Sequence, residues 1–599
     1  MKKITVLTLA LLLILSLSAC KKAVPAATDT APAATETAAA ALSTSGAVSA
    51  APEAEPTPPT EAEQPWTEPA VAQPTEPEAD HLHPFLLTDT RGYLHPETYD
   101  QVISMVTTKV RLPEEEEARY PELARAFADY NKELTDQADT SWQELYRIFT
   151  AMLEDKSWET FGNDGVLLSQ EDYAACVRAD SAVVSFLTSG YSWWGGAHGD
   201  YYFSGVNFDT ETGKRLALTD IVKDTDAFAR LVDKDIRKQL PEDYNDLFEK
   251  PYDYLKGIDL SEPGAVGFTV DNEGVTLYFS PYAIGWFALG AQKSKVYFAD
   301  APELFREKYA KGTKNYVLPV IEYFPETVDV DGDGTREPVN VVPRISDDEN
   351  DMVVYDIICG SRTKTMEEAG YSEDSFLVCV DGTYYLYVFL RVENDYTLFR
   401  VLDLRTMEYL EDEAELCSFG LGFDRALYSS SENTDLTWRS YWPEPQFTDP
   451  GTFTLEEWTD LLSTITGNRT YHTGPDGVPV PESEWCDISG NTVILVREDV
   501  TCEKVSPDGT KEKDVILAAG TALRFLRTDK ETYVDVQTVE RSMVTFFGED
   551  DWKYYYVEEM PAPDLTAPIY RIAVDTSDWP RKVNGRDFME MLEGMQFAG

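Results

Sequence analysis

Between residues 21 and 80 this chain holds almost nothing that a fold could bury. The segment is Ala, Pro, Thr and Glu, with scarcely any large apolar side chain. Such a stretch gains too little from burial to offset the entropy of ordering it, so it is expected to stay disordered. As a flexible coil it would span roughly 45 Å, and fully extended up to about 190 Å. Folding is therefore confined to residue 81 onward. The segment reads as a stalk that holds the folded part away from whatever its other end is fixed to.

The residues before the stalk say what that is. Met1-Lys2-Lys3 is basic, Ile4 to Leu17 is apolar, and the run closes on Leu17-Ser18-Ala19-Cys20. Basic start, apolar core and small residues before a cut form an export signal, too short for a membrane-spanning helix of about 20 apolar residues. Cysteine directly after the small residues resembles a bacterial lipobox. The resemblance implies that Cys20 is lipidated and becomes the mature N-terminus, with palmitate-type chains on the extracellular face of a Gram-positive-like cell membrane. Each buried CH₂ contributes about 0.8 kcal/mol, so a diacylated cysteine holds where a single chain would not. Of the seven cysteines, six remain for the exported part. Export permits disulfides, but Cys359 and Cys379 sit in apolar strand-like runs and read as buried thiols.

Past residue 80 the pattern becomes globular. Tyr120, Leu123, Phe127, Tyr130 and Leu134 recur at helical spacing, and a second helical stretch covers Trp142 to Leu153. Strand-like runs follow at 173–177, 182–187 and 200–208, and Gly267 to Phe279 reads as a hairpin around Asn272-Glu273-Gly274. Residues 313–430 are mostly strands. Thr454 to Ile465 reads as a helix with Thr454 as N-cap and Glu457 as its capping-box partner. Beyond 485, short strands suggest a small SH3-like barrel with a terminal helix at 583–595. The expected organisation is signal peptide 1–20, stalk 21–80, an α+β module at 81–180, a second at 181–312, a β-rich domain at 313–430, a helical linker at 431–484, and the SH3-like barrel at 485–599. The expected fold class is thus multidomain α+β.

One segment carries a family resemblance. Ser189-Gly190-Tyr191-Ser192-Trp193-Trp194-Gly195-Gly196-Ala197-His198-Gly199 is followed by Val206-Asn207-Phe208-Asp209 and Thr212-Gly213-Lys214, and then by Leu277 to Ile284 and Gly290. This resembles the domain of unknown function shared by the lysozyme-sensing anti-sigma factor RsiV and the non-catalytic part of the peptidoglycan deacetylase PdaC; residues 81–180 resemble the module that usually precedes it. The resemblance implies a non-catalytic extracellular module that binds cell-wall fragments or a cationic protein such as lysozyme. Trp193, Trp194, His198 and Asp209 are its candidate ligand-binding residues; the alternative makes Trp193 and Trp194 core or edge residues and His198 a hydrogen-bonded structural histidine, and Asp209 to Gly213 reads as a hairpin-like turn. No aspartate-rich or His-x-x-x-His catalytic signature of the deacetylase accompanies it, and Tyr471-His472-Thr473 has no second histidine nearby.

Asp329-Val-Asp331-Gly-Asp333-Gly-Thr335-Arg-Glu337 has the spacing of a calcium loop. Carboxylates at alternate positions converge, Gly334 permits the sharp turn, Thr335 offers a carbonyl, and Glu337 ligates directly or through water. Position 12 is Asn340, so the bidentate glutamate of an EF-hand is missing. His81-x-His83, at the end of the stalk, reads as incidental rather than as a metal site.

Charge narrows the partners. There are 107 acidic against 51 basic residues, a net charge of −56, which repels nucleic acid and attracts cations and basic proteins. A peptidoglycan-modifying enzyme with an unrecognised active site, and a scaffold that only spaces and displays its modules, are the alternative functions.

Overall fold

The computed structural model describes residues 80–156, 167–196, 198–345, 353–392, 397–410, 417–422, 430–488, 490–549, 552–557 and 560–597. The export signal, Cys20, nearly all of the stalk, and Ala197 lie outside the described residues. The described chain belongs to one unit, Glu78–Gly599, in which no described helix is long and apolar enough to cross a membrane.

The unit begins as an antiparallel hairpin, β1 (Phe85–Leu94) and β2 (Gln101–Arg111). A 34-residue helix, α1 (Pro121–Glu154), then crosses over. It starts with proline in its first turn, where the missing N–H costs nothing, and it spans both helical stretches expected from the sequence. The crossover brings β3 (Leu168–Ala179) back parallel to β2. From there β4 (Val183–Trp193) and β5 (Asp200–Asp209) continue as an antiparallel meander. Leu123, Phe127, Ala138, Leu145 and Phe149 form the buried stripe of α1. Phe127 packs edge-on against Phe186 of β4 and Phe208 of β5, at 5.9 and 5.2 Å between ring centres.

A second, three-stranded sheet packs on this one: β6 (Gly267–Val270), β7 (Gly274–Phe279) and β8 (Gln292–Tyr297). The expected hairpin around Asn272 is its first turn. Helix α2 (Thr225–Gln239) shares its core through Phe228, Val232 and Ile236. The Asp224 carboxylate accepts from the Ala227 N–H at 3.0 Å, capping α2. At Gly205 the two sheets touch backbone to backbone, since a Cβ there would lie 2.0 Å from the Phe268 carbonyl oxygen. Beside it, Asn207 donates to that same carbonyl at 2.8 Å and accepts from Ser185 Oγ at 2.6 Å, and Ser185 Oγ accepts from the Val270 N–H. This buried chain of hydrogen bonds is fully paired across the interface.

The expected α+β class does not hold: the chain is mostly β, 47% strand against 18% helix. Two expectations fail for physical reasons. First, the 431–484 region is not a helical linker. Thr437–Pro445 is the strand that flanks β1 in a seven-stranded sheet, with Ser430–Asn433 outside it. Phe453–Thr459, expected to be helical, pairs on one side with Cys417–Leu421 and on the other with Ile465–Thr473. Leu455, Trp458 and Leu462 imitate helical spacing, but Phe453, Leu455 and Glu457 alternate just as well, and two available partner edges decide in favour of strand. Glu457 caps nothing; its buried carboxylate is held by Lys530 at 2.6 Å and Arg469 at 3.6 Å. Second, residues 485–599 are not a separate SH3-like barrel. Cys486–Ile488 pairs back to Gly467 and Asn468 and forward to Arg527 and Thr528. Leu461, Leu462 and Ile465 share a core with Ile494, Val536 and Ile572. The terminal helix shrinks to Phe588–Met591, after which Leu592 pairs with Val496.

Candidate functional site

The turn joining β4 to β5 carries the densest part of the quoted motif, and its backbone explains the glycines. Gly195 sits at φ +90°, open only to glycine without strain. At Gly199 a Cβ would lie 2.4 Å from the Tyr191 ring. Trp193 Nε1 donates to the Gly196 carbonyl at 3.0 Å, and its ring packs beside the core around Ile103 and Phe149. Trp194, next along, is 38% exposed.

A second loop comes up beside this turn. Between β7 and β8, Ser280 to Gly290 presents Tyr282, Trp286 and Phe287. The exposed His198 ring lies over Phe287 at 4.4 Å and 30°, and its Nδ1 lies 3.0 Å from the Gly199 carbonyl. A carbonyl only accepts, so this contact calls for the proton on Nδ1. Tyr282 and Tyr201 also border Phe287, at 5.8 and 5.6 Å. Tyr282 is 54% exposed and sits at φ +69°, a left-handed conformation that a tyrosine adopts only under constraint. The Tyr201 and Tyr323 hydroxyls are 2.8 Å apart, fixing the inner edge. Farther along the same loop, Trp286 meets Phe248, itself 65% exposed, at 5.9 Å. Two loops from two sheets thus build one rim of aromatic faces open to solvent.

The polar groups near the rim are held rather than free. Tyr202 donates to Asp172 at 2.8 Å, and Tyr173 donates to Glu171 at 3.1 Å. Burial pushes the Glu171 carboxyl up to about 7, against the lowering effect of the Tyr173 hydroxyl. Glu171 and Asp172 are neighbours on β3, so they face opposite sides of the sheet and do not form an acid–base pair. The rim has the chemistry of stacking and hydroxyl donation, suited to sugar rings or to the apolar stems of side chains.

The sequence candidates separate. Trp194 and His198 lie on the rim, and Trp193 braces it from beneath. Asp209 is elsewhere: β5 runs from Asp200 at the rim to Asp209 at its far end, about 30 Å away at about 3.3 Å per residue. There Asp209 is buried and accepts from Tyr309 at 2.7 Å, Lys308 at 2.5 Å and the Thr212 N–H and hydroxyl. It anchors the turn through Thr212 and Gly213. The Val206 to Asp209 motif is structural throughout, and Tyr282, Phe287 and Tyr201 are the site residues that residue-type reasoning missed. The signal for Tyr282 and Phe287 was an aromatic run between Pro281 and Gly290; Tyr201, on β5, had none.

In the acidic loop, Asp329, Asp331 and Asp333 converge, each offering an oxygen within 4.8 Å of the others. Two oxygens on opposite sides of calcium, at about 2.3–2.6 Å each, stand about that far apart. Asp329 accepts from the Gly332 and Gly334 N–H groups, and Asp333 from that of Thr335. Glu337 turns aside and accepts from the Val330 N–H at 3.0 Å. Thr335 is left with its carbonyl as a possible ligand. The donor set fits a calcium ion through three carboxylates, and Glu337 serves the loop's backbone.

Of the described cysteines, Cys176, Cys359, Cys379, Cys486 and Cys502 are buried and unpaired. No family model and no curated protein matches the chain. Among solved structures, a member of the DUF3298 family from Bacteroides fragilis is similar over 39% of this chain and 96% of its own, at 14% identity and a TM-score of 0.28. A DUF3298 family protein from Pseudomonas aeruginosa PAO1 is similar over 39% of this chain and 99% of its own, at 17% identity and a TM-score of 0.27.

Proposed function

We propose that this chain is a lipoprotein held by Cys20 on the extracellular face of the membrane, and that the part from 81 to 312 is a non-catalytic binding module for cell-wall glycan. The rim carries this reading. His198 and Tyr282 border the half-buried Phe287, Trp194 stands exposed on the same turn as His198, and the strained Tyr282 is the kind of backbone outlier that persists where a site is built. Flat aromatic faces beside hydroxyls suit pyranose rings, and a stalk of the length expected for 21–80 would give the module reach into a wall.

Trp194→Ala combined with Tyr282→Ala tests it. Loss of two stacking faces, each worth about 0.5–1.5 kcal/mol beyond its area, should weaken retention on purified wall sacculi by about 10- to 100-fold. Thermal unfolding should stay near that of the wild type. Undiminished sacculus binding by the double variant would sink the glycan reading. The net charge of −56 favours a second reading, a cationic protein such as lysozyme as ligand. That complex would weaken steeply between low and physiological salt, where stacking on glycan would not.

Calcium in the 329–333 loop belongs to the same proposal, as a stabiliser of a wall-facing protein. Extracellular calcium modules bind at about 10⁻⁴–10⁻³ M. At about 10 mM calcium such a site adds about 1.4–2.7 kcal/mol. Melting in calcium against melting in chelator should show that difference, and Asp331→Ala with Asp333→Ala should abolish it. Equal melting in both buffers for the wild type would count against the site.

A further inference from the structure

The structure assigns a binding site for a small carboxylate to the pocket between Met560 to Pro568 and the strands Ala522–Thr528 and Tyr533–Val539, with Arg524 at its base. The two strands lie side by side, Arg524 opposite Gln537. Side chains alternate along Ala522–Thr528. Leu523 and Phe525 enter the core shared with Val534 and Val536, which leaves Ala522, Arg524 and Leu526 on the other face. The segment from Met560 to Pro568 is pinned against that face. Gln537 Nε2 donates to the Asp564 carbonyl at 2.8 Å, and Arg524 Nη1 donates to the Pro561 carbonyl. Between segment and strands lies an open pocket of about 260 Å³, whose walls include Val539, Met543, Met560, Pro561 and Pro568.

The charge of Arg524 is what the fold leaves unanswered. Among the described residues the buried arginines are Arg91, Arg178, Arg400, Arg524 and Arg527. Asp139, Asp180, Glu368 and Asp535 pair with the other four. Arg524, only 8% exposed, has no carboxylate partner among the described residues, in a chain of 107 acidic and 51 basic residues. Its one hydrogen bond there is the one from Nη1. Nε is buried without a partner, and Nη2 is likewise unspent. Desolvation therefore acts unopposed and lowers the pKa of the guanidinium. Buried charges are ordinarily paired. Nε and Nη2 form the side edge of the fork, two parallel donors matched to the two oxygens of a carboxylate. Asp564 and Glu540 also border the pocket. Asp564 accepts from the Thr566 N–H and hydroxyl at 2.9 and 2.6 Å, and Glu540 is exposed, so neither serves Arg524. The rest of the ligand meets apolar walls. A dry cavity of about 150 Å³ holds benzene, and drug-sized ligands take about 300–1,000 Å³. A pocket of about 260 Å³ suits a carboxylate on one ring, or on a branched chain of similar size.

Phenylacetate titrated into the full chain, with its methionine methyl groups labelled for NMR, tests the site. The signals of Met543 and Met560 should shift together and saturate at one ligand per chain, with the other methionines unmoved. Phenylacetamide has the same shape without the charge and should bind about 10- to 100-fold more weakly, the loss expected for a charge-assisted bidentate pair. Arg524→Met should weaken phenylacetate by a similar factor. Arg524→Lys keeps the charge without the fork, and its loss should be smaller. N-acetylphenylalanine separates two sources of the same chemistry. Affinity equal to that of phenylacetate extends the site to the end of a peptide chain, and weaker binding restricts it to free acids. The wild-type titrations with acid and amide decide the matter even if the Arg524 variants fail to fold. Unmoved Met543 and Met560 signals, or equal affinity for acid and amide, would overturn the site and leave the reading of the aromatic rim untouched.

Discussion

Replacing Asp89 by alanine will destabilise the folded chain by about 3–5 kcal/mol at neutral pH, the cost of removing one partner from a buried ionic cluster. The Asp89 side chain is fully buried on β1, with Arg91 at 3.3 Å, Lys109 of β2 at 3.2 Å, and Arg439 bound through two nitrogens at 2.8 and 2.6 Å. Arg91 and Arg439 stand directly opposite each other on adjacent strands. Like charges so placed repel; Asp89 neutralises them between the strands, and Arg91 has a second partner in Asp139 at 2.5 Å. Alanine would leave Lys109 and Arg439 without this carboxylate around an apolar gap, with Arg91 held by Asp139 alone. Burial works against the Asp89 carboxylate, but the hydrogen bonds from Arg439 and Arg91 outweigh it and bring its pKa down to about 2. The folded value lies below the unfolded one of about 3.9, so the stabilisation is complete above pH about 4 and is lost as pH falls through about 2. Urea unfolding of both proteins across that range should show a wide gap at pH 7 that narrows toward pH 2. A gap under 1 kcal/mol, or one independent of pH, would mean the cluster is not held together as described.

That cluster marks the limit of what this sequence discloses. The helix α1 was legible because Leu123, Phe127 and Tyr130 pack on one side of a long segment, where periodicity is a local property. The turn around Asn272 and the convergence of Asp329, Asp331 and Asp333 were legible for the same reason: each is specified within a dozen residues. Arg439 reaches Asp89 across 350 positions, and Asp449 reaches His83 across 366. No local pattern can announce such pairs, and 431–484 looked like a linker for that reason. The rim was half legible. Trp194 and His198 sit in one motif, but Tyr282 and Phe287 join them only because β7 and β8 pack a second sheet against β5. Asp209 parts from them for the opposite reason: it belongs to the same motif yet lies buried at the other end of the strand. Residue type suggested a ligand, and strand length put it out of reach.

Arg178 is where the two sheets of the 81–312 part and the chain leaving them are held together, and Arg178→Met should cost about 3–5 kcal/mol without touching the rim. Its guanidinium is 1% exposed and spends every arm. Nε donates to Asp180 at 2.7 Å, Nη1 to the Asp271 and Tyr309 carbonyls at 3.1 and 2.7 Å, and Nη2 to the Lys311 carbonyl at 2.8 Å. Asp271 lies in the β6–β7 turn, and Tyr309 and Lys311 lead toward the β-rich remainder. Methionine would fill much of the volume but leave the buried Asp271 and Tyr309 carbonyls, the Lys311 carbonyl and one carboxylate oxygen without their donor. Lysine would keep the charge yet lack the planar fork, reaching fewer of the four acceptors, so its loss should be intermediate. Position separates this effect from function. Trp193 pairs opposite Ser169 at the start of β3, whereas Arg178 is at its end, about 30 Å away. Below its lowered melting temperature, Arg178→Met should therefore bind wall sacculi as the wild type does, while Trp194→Ala with Tyr282→Ala should melt normally and bind poorly. If Arg178→Met lost binding at a temperature where it remained folded, the rim would depend on the seating of the second sheet, and the glycan site would have to be sought at the junction of the sheets instead of on the two loops.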